Sequence, residues 1–143
     1  MGKINVGRVI LGGIVGGLVG DLLAFLVDGV WLGPQWASGM KALMQPNLSS
    51  SQLIWFNVLG LVYGVATIWI YAAIRPRFGA GAKTAVLAGL ACWVLGALIP
   101  NFSFMWVDGL FSHRLMVMTT LGGVAEFVFG ALAGAALYQE SSS

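Results

Sequence analysis

Apolar residues run through this chain in four long blocks, separated by short stretches where glycine, proline, serine and charge collect. A bilayer core about 30 Å thick needs about 20 apolar helical residues to cross it. Four segments meet that length: about Val6–Leu32, Gln52–Ile74, Ala82–Ile99 and Leu115–Tyr138. The pattern predicts an all-α fold. Residues 1–143 form a single transmembrane domain, a polytopic four-helix bundle. The first span is long enough to tilt or to project beyond the bilayer. No A-x-A pattern closes it, so it is expected to stay as an anchor and not to be removed as a signal peptide.

The two connections on one side are the longer ones. Between Gly33 and Ser51, Trp36, Met40, Leu43 and Met44 recur at i, i+4, i+7 and i+8. That spacing predicts a short interfacial helix in the first outer loop, opened by Pro34 and closed by Pro46. Ser49, Ser50 and Ser51 can then cap the second span. Pro100–Ser112, with Phe102, Phe104, Trp106 and Phe111, reads as a second interfacial connection. Trp31 and Trp55 join this aromatic belt, and Trp69, Tyr71 and Tyr138 form a thinner one opposite. The richer side is the better candidate for a binding surface, unless its aromatics serve only to fix depth in the lipid.

Composition narrows the function classes. The chain is 59% hydrophobic and 8% charged, against about 25% charged in a soluble domain. That excludes a soluble enzyme, a disordered tail and a nucleic-acid-binding domain. A net charge of +2 gives no electrostatic hold on nucleic acid. Lys3, Arg8, Arg75, Arg77 and Lys83 fall on one face, and Lys41 and Arg114 on the other. The positive-inside bias therefore places both termini and the Arg75–Lys83 loop in the cytoplasm. Arg8, Arg75 and Arg77 are expected to snorkel to lipid phosphates. The single Cys92 excludes an internal disulfide, a Cys-cluster zinc site and a CxxC motif, and reads as a small packing residue. One histidine cannot supply bis-His haem.

The 21 glycines are too many for ordinary helices. Gly12, Gly16 and Gly20 step by four along span one, with Gly13 and Gly17 beside them; span two has Gly60 and Gly64, and span four has Gly122, Gly130 and Gly134. In lipid, helices associate through close backbone approach at small residues. These glycines are expected at tight helix pairs, within the chain or between copies.

Among the polar residues inside or at the edge of the spans, Asp21, Asn57, Asn101 and Glu126 are the candidates for a role within the membrane. A carboxylate at such depth costs roughly 2.5–3.5 kcal/mol on insertion scales. Glycine spacing turns Asp21 and Glu126 toward helix interfaces, and no Lys or Arg lies at matching depth. Desolvation there favours neutral acids, which can donate hydrogen bonds to each other, to Asn57 or to carbonyls. Three readings stay open: carriers of a proton or cation, interhelical hydrogen-bond glue, and docking to a partner's basic residue or a metal-bearing cofactor.

At the outer edge Asp28, Asp108, His113 and Arg114 collect. Two carboxylates and an imidazole could hold a divalent metal such as zinc, but they lack a recognisable ligand spacing. The simpler expectation is an Asp–Arg114 ion pair between the outer loops with His113 solvated, and no metal. Val27-Asp28-Gly29 recurs as Val107-Asp108-Gly109, an offset of 80 residues that also pairs Gly16 with Gly96, Leu18 with Leu98 and Asp21 with Asn101. The echo suggests two parallel copies of a two-span unit.

No G-x-S-x-G, H-E-x-x-H or P-loop lysine appears. The glycine-rich opening Gly7-Arg8-Val9-Ile10-Leu11-Gly12-Gly13 and the basic stretch Tyr71–Gly79 through Lys83-Thr84-Ala85 resemble a group of small uncharacterised bacterial four-span membrane proteins. The resemblance implies a bacterial inner-membrane location and brings no activity or functional residue. The expectation is a non-enzymatic accessory or structural subunit, packing in membrane lipid beside other membrane protein subunits or as a homo-oligomer. The alternative is a small proton- or cation-coupled transporter or channel using Glu126 and Asp21. A third reading is hydrophobic-ligand binding. No cofactor is required, although Trp93, Trp69, Tyr63 and His113 could line a pocket for a lipid, quinone or pigment.

Overall fold

A computed structural model describes residues 3–44, 48–106 and 110–140. Four helical rods are long and apolar enough to cross a membrane: Val6–Trp31, Ser50–Phe78, Ala82–Trp106 and His113–Ala136. They pack together as an all-α bundle, and the chain is a multi-pass membrane protein.

The first rod is helix α1 (Val6–Ala24), continued by a π turn at Phe25–Trp31. Helix α2 (Gly33–Ala42) follows, with Pro34 in its first turn, where a missing N–H costs nothing. Helix α3 (Ser50–Phe78) begins at a capping box: Ser49 Oγ accepts from the Gln52 N–H while the Gln52 side chain accepts from the Ser49 N–H. The third rod is α4 (Ala82–Trp93), a π turn (Val94–Leu98) and α5 (Ile99–Trp106). Helix α6 (His113–Ala136) starts on Ser112, whose hydroxyl accepts from the Leu115 N–H. Helix α1 packs against α3 and α6, and α4 packs against α6 and α3, so the first and third rods are diagonal.

Two helices run past the ends of their apolar spans. Hydropathy bounds span two at Ile74, but α3 runs through Pro76 to Phe78, although the residue before a proline tends to leave the helix. Pro76 leaves the Ala72 carbonyl without its i+4 donor, a single bond lost in a helix that ends two residues later. Thr84 Oγ1 donates to the Gly79 and Phe78 carbonyls (2.7 and 3.3 Å), and the Gly81 N–H donates to the Tyr71 hydroxyl (3.1 Å). Gly79 and Gly81 supply the left-handed φ of 86° and 118° that this turn requires. Likewise span three does not stop at Ile99. The π turn gives the Ile99 N–H an i−5 bond to Val94 just ahead of Pro100. Loosening the ladder there accommodates the proline, and the helix continues to Trp106. Phe102, Phe104 and Trp106 thus lie on a helix and not in a loop. Pro46 and Asp108 lie outside the described residues.

Among the described residues the π turn at Phe25–Trp31 has no counterpart 80 residues on: Leu110 and Phe111 are outside any helix, and the third rod carries its π turn at Val94–Leu98.

At one end of the bundle Val9, Ile68, Tyr71, Ala72, Ala85, Ala88 and Tyr138 form the core. Tyr71 and Tyr138, expected in an interfacial belt, are buried here edge to face, with ring centroids 5.8 Å apart. Arg75 does not reach outward to lipid. Its guanidinium lies over the Tyr138 ring, 5.5 Å from the centroid, and 3.4 Å from the Glu140 carboxylate. Both partners are partly solvated, so Glu140→Gln is expected to lower stability by less than about 1 kcal/mol, read as a small shift of the thermal midpoint in detergent. At the other end, the α2 end, Leu32, Leu115 and Met116 are packed by Val27, Trp36, Met105, Phe111 and Met118.

Candidate functional site

Helix α1 is flanked by glycine contacts on two sides. A β-carbon on Gly12 or Gly16 would stand 2.5 and 2.6 Å from the carbonyl oxygens of Gly134 and Gly130, on α6. Gly20 faces the Glu126 carbonyl at 3.6 Å. Each four-residue step along α1 is thus a four-residue step back along α6. Gly13 and Gly17 face the α3 backbone at Val65 and Leu61, and Gly64 faces Gly13 and Gly17 in return. On α6, Gly122 makes room for the Val27 side chain.

Polar residues begin where this close packing loosens. Asp21 follows the Gly20 rung on the α3 side, and its carboxyl group fills the space over Gly60. Glu126 is level with Gly20 on α6. Asp21 Oδ2 and Glu126 Oε1 are both buried and have no hydrogen-bond partner among the described residues. Nearer the α2 end, Asp28 sits in the π turn. Between the Gly20–Glu126 and Asp28–Thr119 rungs, eight residues of α1 match seven of α6, and the extra residue of the π turn absorbs the difference. The three carboxylates descend from the α2 end to mid-bundle. Beyond Glu126 the Gly16–Gly130 and Gly12–Gly134 rungs bring backbone against backbone, leaving no room for a polar path.

Asp28 is not paired with Arg114. Among the described residues the only ion pair is Arg75–Glu140. Asp28 Oδ1 accepts from Trp36 Nε1 (2.9 Å) and from the Thr119 hydroxyl. Trp36 therefore turns into the bundle, edge to face with Phe111 at 5.1 Å. Gly39 admits Phe111, whose ring lies 2.8 Å from where a β-carbon would stand. The expected Trp36–Met40–Leu43–Met44 face is split as a result. Trp36 holds α2 to the bundle, while Leu43 and Met44 lie past the helix end. Trp36→Phe keeps the ring and removes the donor. It is expected to cost about 1–2 kcal/mol and to raise protease cleavage within α2 while the four long helices stay intact.

Asn101 belongs to a separate node. Its Nδ2 donates to Thr120 Oγ1 (3.0 Å), Thr120 Oγ1 donates to the Met116 carbonyl (2.6 Å), and Trp93 Nε1 donates to the Thr120 carbonyl (2.8 Å). These bonds tie the third rod to α6. Asn57 does not meet Asp21; its Nδ2 donates to the Leu53 carbonyl of its own helix (2.8 Å). His113 stacks at 4.8 Å on Trp106, and no group of three or more metal-binding side chains forms among the described residues. None of Trp93, Trp69, Tyr63 and His113 lines the two clefts at the α2 end. Trp69 is exposed, Tyr63 packs on Phe127, and His113 is at the α2 end. Thr119 and Thr120 were not singled out by sequence, and Trp36 was read as part of an interfacial face and not as a donor to Asp28. The available signal was that Thr119 lies seven residues, two helical turns, before Glu126.

No known protein family, curated protein or solved structure matches this chain.

Proposed function

We propose that this chain is a non-enzymatic, proton- or cation-coupled membrane protein in which Asp21 and Glu126 take up the ion from the α2 side. The observation that carries this reading is the pair of buried carboxylate oxygens, Asp21 Oδ2 and Glu126 Oε1, without a hydrogen-bond partner. Interhelical glue requires those bonds to be made; an ion-binding group keeps its oxygens free for the ion. Asp28 stands between them and the α2 end, but its Oδ1 is taken by Trp36 Nε1 and the Thr119 hydroxyl, so it serves structure and not uptake. The glycine rungs below Glu126 make this a one-sided entry, so passage across the bundle requires α1 and α6 to part.

The bias of Lys and Arg toward the Arg75–Lys83 side supports cytoplasmic termini and an outward α2 end. The test is proton flux under an imposed pH gradient in liposomes holding the purified protein. Glu126→Gln and Asp21→Asn are each expected to lower flux at least ten-fold. Flux unchanged in Glu126→Gln removes that residue from any carrier role.

A second reading, an accessory subunit that packs beside other membrane subunits or its own copies, is favoured by one feature: residues 50–59 of α3 are exposed on every face.

A further inference from the structure

Helix α3 keeps company with α1 for only part of its length. Gly13 meets Val65 and Gly17 meets Leu61; four more residues in each direction would set Asp21 opposite Asn57. Asn57 lies on the same α3 face as Gly60 and Gly64, both turned to α1. From Gly60 toward Ser50, however, α3 stands clear of the bundle. Ile54, Trp55 and Phe56 are 63%, 62% and 64% exposed, and Asn57 is exposed with them.

Asn57 is seven residues, about 10 Å, from the start of α3, within the apolar part of the rod. A carboxamide carries two N–H donors and an acceptor oxygen. One N–H is used, on the Leu53 carbonyl. Among the described residues the second N–H and the oxygen have no partner, and hydrocarbon offers neither donor nor acceptor.

We infer that this end of α3 is an interface between two copies of the chain, with the Asn57 side chains paired across a two-fold axis. The unmatched set on Asn57 is one donor and one acceptor, and it is self-complementary. A second copy related by a two-fold axis brings the same set reversed, so each amide supplies what the other lacks. A lipid tail supplies neither group, and a partner's Lys or Arg could satisfy only the oxygen. An asparagine between membrane helices is a recognised source of association. Two α3 helices that both leave their bundles at Gly60 can approach there without disturbing the α1–α3 contact below. The inference names the partner for the assembly reading above. It is independent of ion uptake, because its test reads association alone.

The experiment uses the full chain with Cys92→Ser, in phosphatidylethanolamine–phosphatidylglycerol liposomes. Single cysteines replace Leu53, Ile54, Trp55, Phe56 and Val58 in turn. Leu18→Cys on α1 and Leu121→Cys on α6, both exposed, serve as controls. Oxidation is expected to cross-link Leu53→Cys most, one turn from Asn57 on its face, and Trp55→Cys least, with little dimer at Leu18 or Leu121. Adding Asn57→Leu should lower the Leu53→Cys dimer at least ten-fold, and Asn57→Gln should restore it. Equal cross-linking all round α3, stronger cross-linking at Leu18 or Leu121, monomers at every protein-to-lipid ratio, or indifference to Asn57→Leu would each overturn the inference. Monomers with intact ion flux would sink it while leaving the carrier reading in place.

Discussion

Gly16→Leu is expected to prevent the bundle from closing, with a loss of about 3 kcal/mol or more. Overpacking a core costs typically 1–3 kcal/mol when neighbouring side chains can shift. Here the obstacle is backbone: the Gly130 carbonyl oxygen is 2.6 Å from where the new β-carbon would sit, and a β-carbon on Gly130 would stand 2.7 Å from the Gly16 oxygen. Helix α1 cannot retreat, because Gly13 and Gly17 hold it as closely to α3. Gly20→Ala is the matched control. Its nearest neighbour, the Glu126 carbonyl, is at 3.6 Å, an ordinary contact, and alanine favours the helix by about 1 kcal/mol over glycine. Unfolding by increasing mole fraction of dodecyl sulfate, followed by circular dichroism, reads both. Gly16→Leu unfolding at the wild-type midpoint would mean that α1 and α6 do not meet at that rung.

Glu126→Met is expected to stabilise the protein by about 1–3 kcal/mol while abolishing ion uptake. A buried polar atom without a partner carries its desolvation cost uncompensated, about 1–3 kcal/mol, and Glu126 Oε1 is such an atom. A thioether of similar length fills the same space without that cost. Asp28→Ala should move stability the opposite way by a similar amount, because it strips Trp36 Nε1 and the Thr119 hydroxyl of their shared acceptor. The opposite signs separate an acid kept for its chemistry from one kept for structure. If Glu126→Met lowers the unfolding midpoint, Glu126 is hydrogen-bond glue and the carrier reading fails.

The α1 glycines show how far local pattern reaches. Their four-residue spacing marks a face for close approach, yet nothing in it pairs Gly12 with Gly134 or Gly16 with Gly130, because that register depends on how two helices more than a hundred residues apart align. Asp21 and Glu126 were recognisable as intramembrane acids from hydropathy alone. That neither finds a donor became visible only when Asn57 proved to be turned to Leu53. Asp28 had a plausible ionic partner in Arg114, and a tryptophan one helix away took the place. Helix α3 and the third rod outrun their apolar spans for a related reason: hydropathy marks the stretch that suits lipid and not where the helix stops, and both continue past Pro76 and Pro100.

The sequence by itself determined the membrane class, the four apolar rods, the capped start of α3 and the short α2 helix. Each follows from the composition or periodicity of contiguous residues. Only the tertiary structure decided which glycines touch, where the carboxylates line up, what holds α2 down and where α3 stands alone. Those outcomes rest on register and distance between segments far apart in the chain, where the free energy belongs to the pair and is not written in either helix.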